Sequence, residues 1–326
     1  MAVTARHMLV SGAALLLVLA SAGVARADTF PNRPLRLVVP FPPGGGGDIV
    51  ARILASRFSE SFRQQCVVDN RTGAAGNVGA EIVVRAVPDG HTVFLGFNTV
   101  LTVNPLLYRL SFDMQKDLAP VVMMTSGQHM LVLHPSVKAG TLKEFIALAR
   151  ANPGSLNYAS SGAGTPGNLA AELFKMRAGI NLAHVPYRGG GPASVAVLAG
   201  EVQVLFGSLP SVFPHVKTGR LKALAVTGPK RAAAAPDLPT IAESGFPGFE
   251  VTNWHGLFVP ASTPGSVIGM LHGEAVKALS LPDIADQLAR QGLEVSVKGP
   301  GPFAVHIREE TATWAKVIAA AGIKSD

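Results

Sequence analysis

The chain has 326 residues with one cysteine, is 48% hydrophobic, and carries 28 Lys and Arg against 21 Asp and Glu, a formal charge of +7. Cys66 has no partner for an intramolecular disulfide, so stability must come from packed apolar cores, in which Cys66 beside Val67 and Val68 is a small packing residue. The basic residues are scattered singly except Lys230-Arg231, and 3 Tyr and 2 Trp offer little to stack on bases, which speaks against nucleic acid and leaves a mild field for small anions.

Arg6 and His7 precede an apolar stretch, Leu9 to Val18, and Ala25-Arg26-Ala27 follows as an A-x-A cleavage site. Residues 1–27 are therefore expected to be a secretion signal. The apolar run is about a dozen residues, short of the roughly 20 needed to span a bilayer, and no cysteine lies near the cut to carry a lipid. The expectation is a periplasmic protein, not membrane-inserted after cleavage, starting near Asp28. Cleavage removes Arg6 and Arg26 and no acid, so +7 becomes +5. About 300 residues remain, room for two domains of ordinary size.

Leu35 to Arg52 is the first unit. A β-branched apolar run, Leu35 to Pro40, breaks at Pro42-Pro43-Gly44-Gly45-Gly46-Gly47 and resumes with helical spacing at Ile49, Val50, Ile53, Leu54 and Phe58. That predicts strand, glycine turn and helix, with N–H groups and a partial positive charge where an anion would sit. The design recurs: strand Cys66 to Asp69, turn Asn70 to Asn77, helix Val78 to Ala86. Pro88-Asp89-Gly90 is a turn, Thr92 to Gly96 a buried strand, and Phe97-Asn98-Thr99 place polar groups at its carboxyl end, the edge where α/β sheets collect ligands.

Between Leu118 and His134, two apolar runs flank the polar Thr125-Ser126-Gly127-Gln128, read as a crossing between domains. Thr141-Leu142-Lys143-Glu144 has capping-box spacing and starts a helix to Arg150. Strand Asn157 to Ser160 leads through Ser161-Gly162-Ala163-Gly164-Thr165-Pro166-Gly167-Asn168 into a helix carrying Leu169, Leu173 and Phe174. Then come strand Leu182 to Val185, the turn Tyr187 to Pro192, a short helix to Leu198, strand Val202 to Phe206, Gly207 to Ser211 with another helix, and strand Leu221 to Thr227. Strands alternating with helices predict parallel sheets. Glu250 to Val259 is extended and recrosses. Three helices close the chain: Pro264 to Leu279 behind the cap candidate Thr263, Pro282 to Gln291 stopped by Gly292, and Pro302 to Ala321 stopped by Gly322.

Gly162-Ala163-Gly164-Thr165-Pro166-Gly167 matches the dinucleotide fingerprint G-x-G-x-x-G. That fingerprint also wants an acid about 20 residues on, absent from 180–190, and a place in the first βα unit, so the match is weak. There is no H-E-x-x-H, C-x-x-C, Walker lysine or G-x-S-x-G. The nine histidines are dispersed, and His184 and His255 read as satisfied structural residues. No nucleophile-base pair stands out to support the rival reading, a two-lobed α/β hydrolase or lyase acting on a carboxylate. What does recur is a small-residue turn after a strand, at 42–48, 73–77, 97–99, 161–168, 188–192 and 207–211. Such loops facing one another across a cleft suit a carboxylate held by neutral donors and helix N-termini.

A long ordered series of motifs then carries a family resemblance. Arg33-Pro34-Leu35-Arg36 through Pro43-Gly44-Gly45 to Asp48 and Ala51-Arg52, Asn70 to Gly76, Pro88-Asp89-Gly90-His91-Thr92, Tyr158 to Gly162, Val185-Pro186-Tyr187-Arg188-Gly189, Leu238-Pro239-Thr240 with Glu243 and Gly245, and Pro260-Ala261 before Thr263-Pro264 resemble the TctC-type receptors of tripartite tricarboxylate transporters, the Bug family. The resemblance spans essentially the whole mature chain. It implies an α/β, two-lobed periplasmic binding protein of type II-like form, each lobe a mainly parallel sheet flanked by helices, joined by two crossing strands. Lobe 1 is expected over 28–128 plus 252–326 and lobe 2 over 129–251.

The resemblance also implies a receptor, not an enzyme, that closes on a small carboxylate and delivers it to a pair of membrane permease subunits. By position, Gly44, Gly45, Asn98, Thr99, Ser161, Gly162, Thr165 and Ser208 would face the cleft, with Tyr187 nearby. Asp48 is expected to complete the first helical turn, since an anion beside it would be repelled. Ala196, Gln203 and Gly207 stand where relatives often carry aspartates, which disfavours an ammonium-bearing ligand and favours a dicarboxylate, tricarboxylate or aromatic acid. No metal or cofactor is expected, and the chain is expected to act as a monomer.

Overall fold

The computed structural model describes residues 30–43, 46–187 and 189–324. The predicted signal peptide, the predicted binding residues Gly44 and Gly45, and Arg188 of the Tyr-x-Gly turn lie outside the described residues.

The first lobe begins with the parallel strands β1 (Leu35–Val39), β2 (Cys66–Asn70) and β3 (Thr92–Phe97), in the order β2-β1-β3. The alternation along β1 sorts its residues onto two cores. Leu35, Leu37 and Val39 pack with Val50, Leu54 and Phe58 of α1 (Gly46–Phe62), which repeat at helical spacing. Val38 faces the other way, onto Ala80 and Val83 of α2 (Asn77–Val84). Each such side chain, fully buried, contributes about 1.5–3 kcal/mol.

The second lobe uses the same unit. Parallel strands β5 (Asn157–Ser160), β6 (Ala183–Pro186) and β7 (Val204–Ser208) run in the order β7-β5-β6. Its helices are α4 (Leu142–Ala151), α5 (Pro166–Ala178), α6 (Gly190–Ala199) and α7 (Leu209–Lys217), packed on the two faces. The Thr141 cap is present: its hydroxyl accepts the Glu144 N–H at 3.2 Å, while Glu144 Oε2 accepts from Gly140, one residue before the usual partner.

Antiparallel pairing enters with the strands that link the lobes. β4 (Leu118–Leu133) is one continuous strand of 16 residues that runs through the polar Thr125-Ser126-Gly127-Gln128. Residues 118–128 pair with β9 (Thr252–Pro260), which also pairs with β3. Residues 129–133 pair with β7, and 130–133 with β8 (Lys222–Val226). The polar interruption is tolerated because its two buried polar side chains, Thr125 and Gln128, are hydrogen-bonded at the handover. Thr125 Oγ1 bonds His255 Nδ1 at 2.8 Å, and Gln128 Oε1 accepts from Gly228 N at 3.2 Å.

The closing helices are α8 (Gly265–Leu279), α9 (Pro282–Arg290) and α10 (Pro300–Ala321). Pro264, not Thr263, is the N-cap of α8, and the Thr263 hydroxyl makes no cap bond. Two elements escaped the sequence reading. β10 (Leu293–Lys298) is an edge strand on β4 with only Leu293 buried, so backbone pairing defines it rather than an apolar pattern. A helical turn, Thr99–Val103, runs into the short α3 (Asn104–Leu107), burying Val100, Leu101 and Val103 immediately after β3. α10 bridges the cores: Phe303 and Ile307 join the first lobe, and Trp314, Val317 and Ile318 the second.

Candidate functional site: the interlobe cleft

The carboxyl ends of β1, β3, β5 and β7 converge on a cleft of about 530 Å³ between the lobes, a volume within the usual range for small-molecule sites. The first lobe contributes Phe41 and Gly47 after β1, Phe97, Asn98 and Thr99 after β3, and Asn253 and His255 from β9. The second contributes Ala163 to Pro166 before α5, and Ser208 and Pro210 at the start of α7. The described lining residues include no Asp, Glu, Lys or Arg.

Four of the predicted residues, Asn98, Thr99, Thr165 and Ser208, meet in this cleft. Ser161, Gly162 and Tyr187 are not among its described lining residues. The loop explains this. Gly162 sits at φ +129°, open to glycine but not to most side chains, and folds the loop back on itself. Its N–H donates to Ser160 Oγ at 3.1 Å and its carbonyl accepts from Thr165 Oγ1 at 2.7 Å, which brings Ala163, Gly164 and Thr165 forward. Tyr187 donates its N–H to the Ser160 carbonyl and leans on the second-lobe core.

The same loop is braced from behind. Ser160 Oγ lies 2.6 Å from His184 Nε2, and His184 stacks on Tyr158 at 4.7 Å. Tyr158 donates to Glu172 at 2.5 Å and accepts from Asn168, whose Oδ1 takes the Gly164 N–H at 2.9 Å. Burial lowers the pKa of His184. Ser160 is 1% exposed and already engaged with Gly162, so this serine-histidine pair positions a loop rather than attacking a substrate.

α5 and α7 both start with proline in the first turn and lack a side-chain cap, and their starts reach the cleft from the second lobe through Thr165 and Pro166 and through Ser208 and Pro210. The first-lobe wall is aromatic. Phe97 makes edge contacts with Phe41 at 4.6 Å and His255 at 4.4 Å. Burial pushes the His255 pKa down to about 4, so its ring is neutral near pH 7. Gly47 makes room for this wall, because a Cβ there would lie 2.1 Å from Phe97 Cζ.

Asp48 is buried and is not among the cleft's described lining residues. Its carboxylate accepts from Arg52 Nε at 2.9 Å and Asn70 Nδ2 at 3.0 Å, tying the first turn of α1 to the end of β2. Asn70 Nδ2 also reaches the Phe41 carbonyl, so the ion pair helps hold the turn after β1.

Phe97, Ala75, Asn104, Asn253 and His255 were not singled out as ligand residues from sequence. Ala75 had a signal: it lies in the second glycine turn, and its φ of 54° is a strained left-handed conformation for alanine. Asn104 supports it by donating to the Ala75 carbonyl at 3.0 Å. A larger cavity, about 640 Å³, opens between α5 and the end of α10. Its Glu172 and Lys175 are paired with each other at 2.8 Å, and it lacks the converging strand ends of the interlobe cleft. Among the described residues no cluster of His, Cys, Asp or Glu could hold a metal ion, and no helix is long and apolar enough to cross a membrane.

The family model described as "Tripartite tricarboxylate transporter family receptor" matches residues 50–323. The protein BugT of Bordetella pertussis is 34% identical, over 94% of this chain and 95% of BugT. A structure titled "R. palustris Rpa4515 with adipate" is 34% identical, with a TM-score of 0.75 over 90% of this chain and 99% of that one. MatC from Rhodopseudomonas palustris, with bound malate, is 30% identical, with a TM-score of 0.72 over 89% of this chain and 100% of that one.

Proposed function

Because the chain belongs to the receptor family of tripartite tricarboxylate transporters, we propose that it captures a small carboxylate in the interlobe cleft and delivers it to the membrane subunits of such a transporter. The supporting observation is a cleft at the junction of two lobes whose described lining is uncharged but rich in neutral donors. A carboxylate there would meet the Thr99 and Ser208 hydroxyls and the first-turn N–H groups of α5 and α7, while the ligand's carbon body would lie against Phe41 and Phe97. Gly44 and Gly45 belong to the same proposal, as do Ser161, Gly162 and Tyr187, which would reach the ligand as the lobes close. Dicarboxylates, tricarboxylates and aromatic acids fit this chemistry; the adipate and malate of the two relatives are examples of the first class.

In this reading residues 1–27 direct the chain to the periplasm and it works there as a monomer. The handover on β4 between Gln128 and His129 supports the lobe division at 128/129. Ligand binding shifts an open ensemble towards a closed one.

Melting temperature in the presence of adipate, malate, citrate and benzoate tests the reading. A ligand at a hundredfold excess over Kd stabilises by about 2.7 kcal/mol, roughly 5–10 °C for lobes of this size. Chemical conversion of any stabilising compound would instead support the hydrolase or lyase reading.

A further inference from the structure

Behind the cleft, α10 passes from the first-lobe core to the second, and Glu310 stands between Ile307 and Trp314. Its carboxylate accepts from the indole of Trp254 on β9 at 2.6 Å and from the indole of Trp314 at 3.1 Å. Asn98 lies near enough to favour the charged form of this carboxyl, and donates Nδ2 to the Thr252 carbonyl at 3.0 Å. One carboxyl thus joins the cleft end of β3, the entry of crossing strand β9, and the helix that spans both lobes. We propose that Glu310 is a positioning residue for the cleft, fixing Asn98 and the start of β9 so that ligand affinity depends on the charge it carries.

The surroundings make that charge adjustable. On α10, His306 Nε2 lies 3.9 Å away, and Glu309 lines the same 310 Å³ cavity. Arg177 faces this cavity from α5 and Glu250 from the segment before β9. Lys298 at the end of β10 reaches His306 Nδ1 at 3.0 Å. Burial, reinforced by Lys298, pushes the His306 pKa down to about 4, so it is neutral near pH 7 and gives Glu310 no ion pair there. Burial pushes Glu310 up to about 7, with the two indoles and Asn98 opposing the rise and Glu250 adding to it. As a carboxylate, Glu310 accepts from both indoles and attracts the Asn98 amide. Protonated, it must donate one O–H and grips Asn98 and Trp254 less firmly.

The inference rests on the receptor reading only for its ligand half, and the change of charge on Glu310 beside β9 and α10 can be tested without ligand. Trp254 and Trp314 are the only tryptophans in the chain, and both touch this carboxyl. Intrinsic emission of the free protein should titrate with a midpoint within about one unit of pH 7, and the transition should vanish in Glu310→Gln. Trp254→Phe, which removes one donor to the charged form, should move the midpoint upward and keeps the test available if Glu310→Gln fails to fold. An emission profile flat from pH 5 to 9, or an unchanged one in either variant, overturns the inference.

For the ligand half, calorimetry would use whichever of adipate, malate, citrate or benzoate raises the melting midpoint most. Affinity should be ~3- to 10-fold higher at pH 8.5 than at pH 5.5, corresponding to a ligand-induced pKa change of about 0.5–1 unit by reciprocity. In Glu310→Gln that slope should disappear, and an identical slope in both proteins refutes the coupling. If none of the four probes binds, the receptor reading fails for these ligands, while the emission titration still decides whether Glu310 changes charge beside the two indoles.

Discussion

Replacing Gly47 by alanine tests whether the glycine turn and the aromatic wall form one unit. The added Cβ would fall 2.1 Å from Phe97 Cζ and 2.8 Å from Cε2, distances at which the ring must move. The ring has little freedom, since Phe41 and His255 hold it by edge contacts at 4.6 and 4.4 Å. Overpacking of this kind costs about 1–3 kcal/mol, and each disturbed ring pair about 0.5–1.5 kcal/mol more. Against this stands the helix preference of alanine over glycine, about 1 kcal/mol. The clash should win, giving a net loss near 2 kcal/mol and a fall in melting temperature of roughly 4–8 °C. In the Phe97→Leu background the offending ring atoms are gone, so the same Gly47→Ala change should become stabilising by about 0.5–1 kcal/mol. Urea denaturation of the four proteins in the cycle measures this sign reversal, and calorimetry with the best carboxylate should show weaker binding for Gly47→Ala alone. A substitution that is neutral in both backgrounds would mean that Phe97 is not held against α1, and the wall described above would be wrong.

Stability should fall with rising pH through Glu310. A buried carboxyl whose pKa is raised from 4.5 to about 7 gives a contribution that is full below pH 4.5 and lost as pH rises through about 7. The loss amounts to roughly 3 kcal/mol, and urea midpoints between pH 4.5 and 8 should drop in the wild type more than in Glu310→Gln. Thr125→Val leaves the buried His255 Nδ1 without its partner at 2.8 Å and should cost about 1–3 kcal/mol in the same assay. Ser160→Ala removes the hydroxyl that joins His184 to Gly162; it should cost about 1 kcal/mol of stability and raise the ligand's dissociation rate more than it changes association. Cys66, whose thiol burial raises to about 12, should react with a disulfide reagent far more slowly in native protein than in urea.

The repeating unit was legible because it is local. The apolar run of Leu35 to Val39, the glycines after it, and the helical spacing of Val50, Leu54 and Phe58 each reflect backbone geometry within a few residues. Thr141 likewise marked its helix start through a bond three residues long. Thr263 failed the same test, because the chain before α8 is held instead by the Pro260–Thr263 turn. β10 was invisible because its partner, β4, lies more than 150 residues away and only Leu293 is buried.

The site divides along the same line. Strand ends followed by small polar residues pointed to Asn98, Thr99, Thr165 and Ser208, since a strand's carboxyl end is a local feature and its place at a cleft follows from parallel α/β order. The roles of Phe97 and Glu310 come from contacts between distant segments: a ring seated over Gly47, and a carboxyl on the last helix shared by two indoles. By itself, then, the sequence determined the βα units, their glycine turns and the family. Only the tertiary structure decided which loop residues line the cleft and which buried carboxyl lies behind them, because burial and pKa depend on what the fold packs beside a residue rather than on its neighbours in the chain.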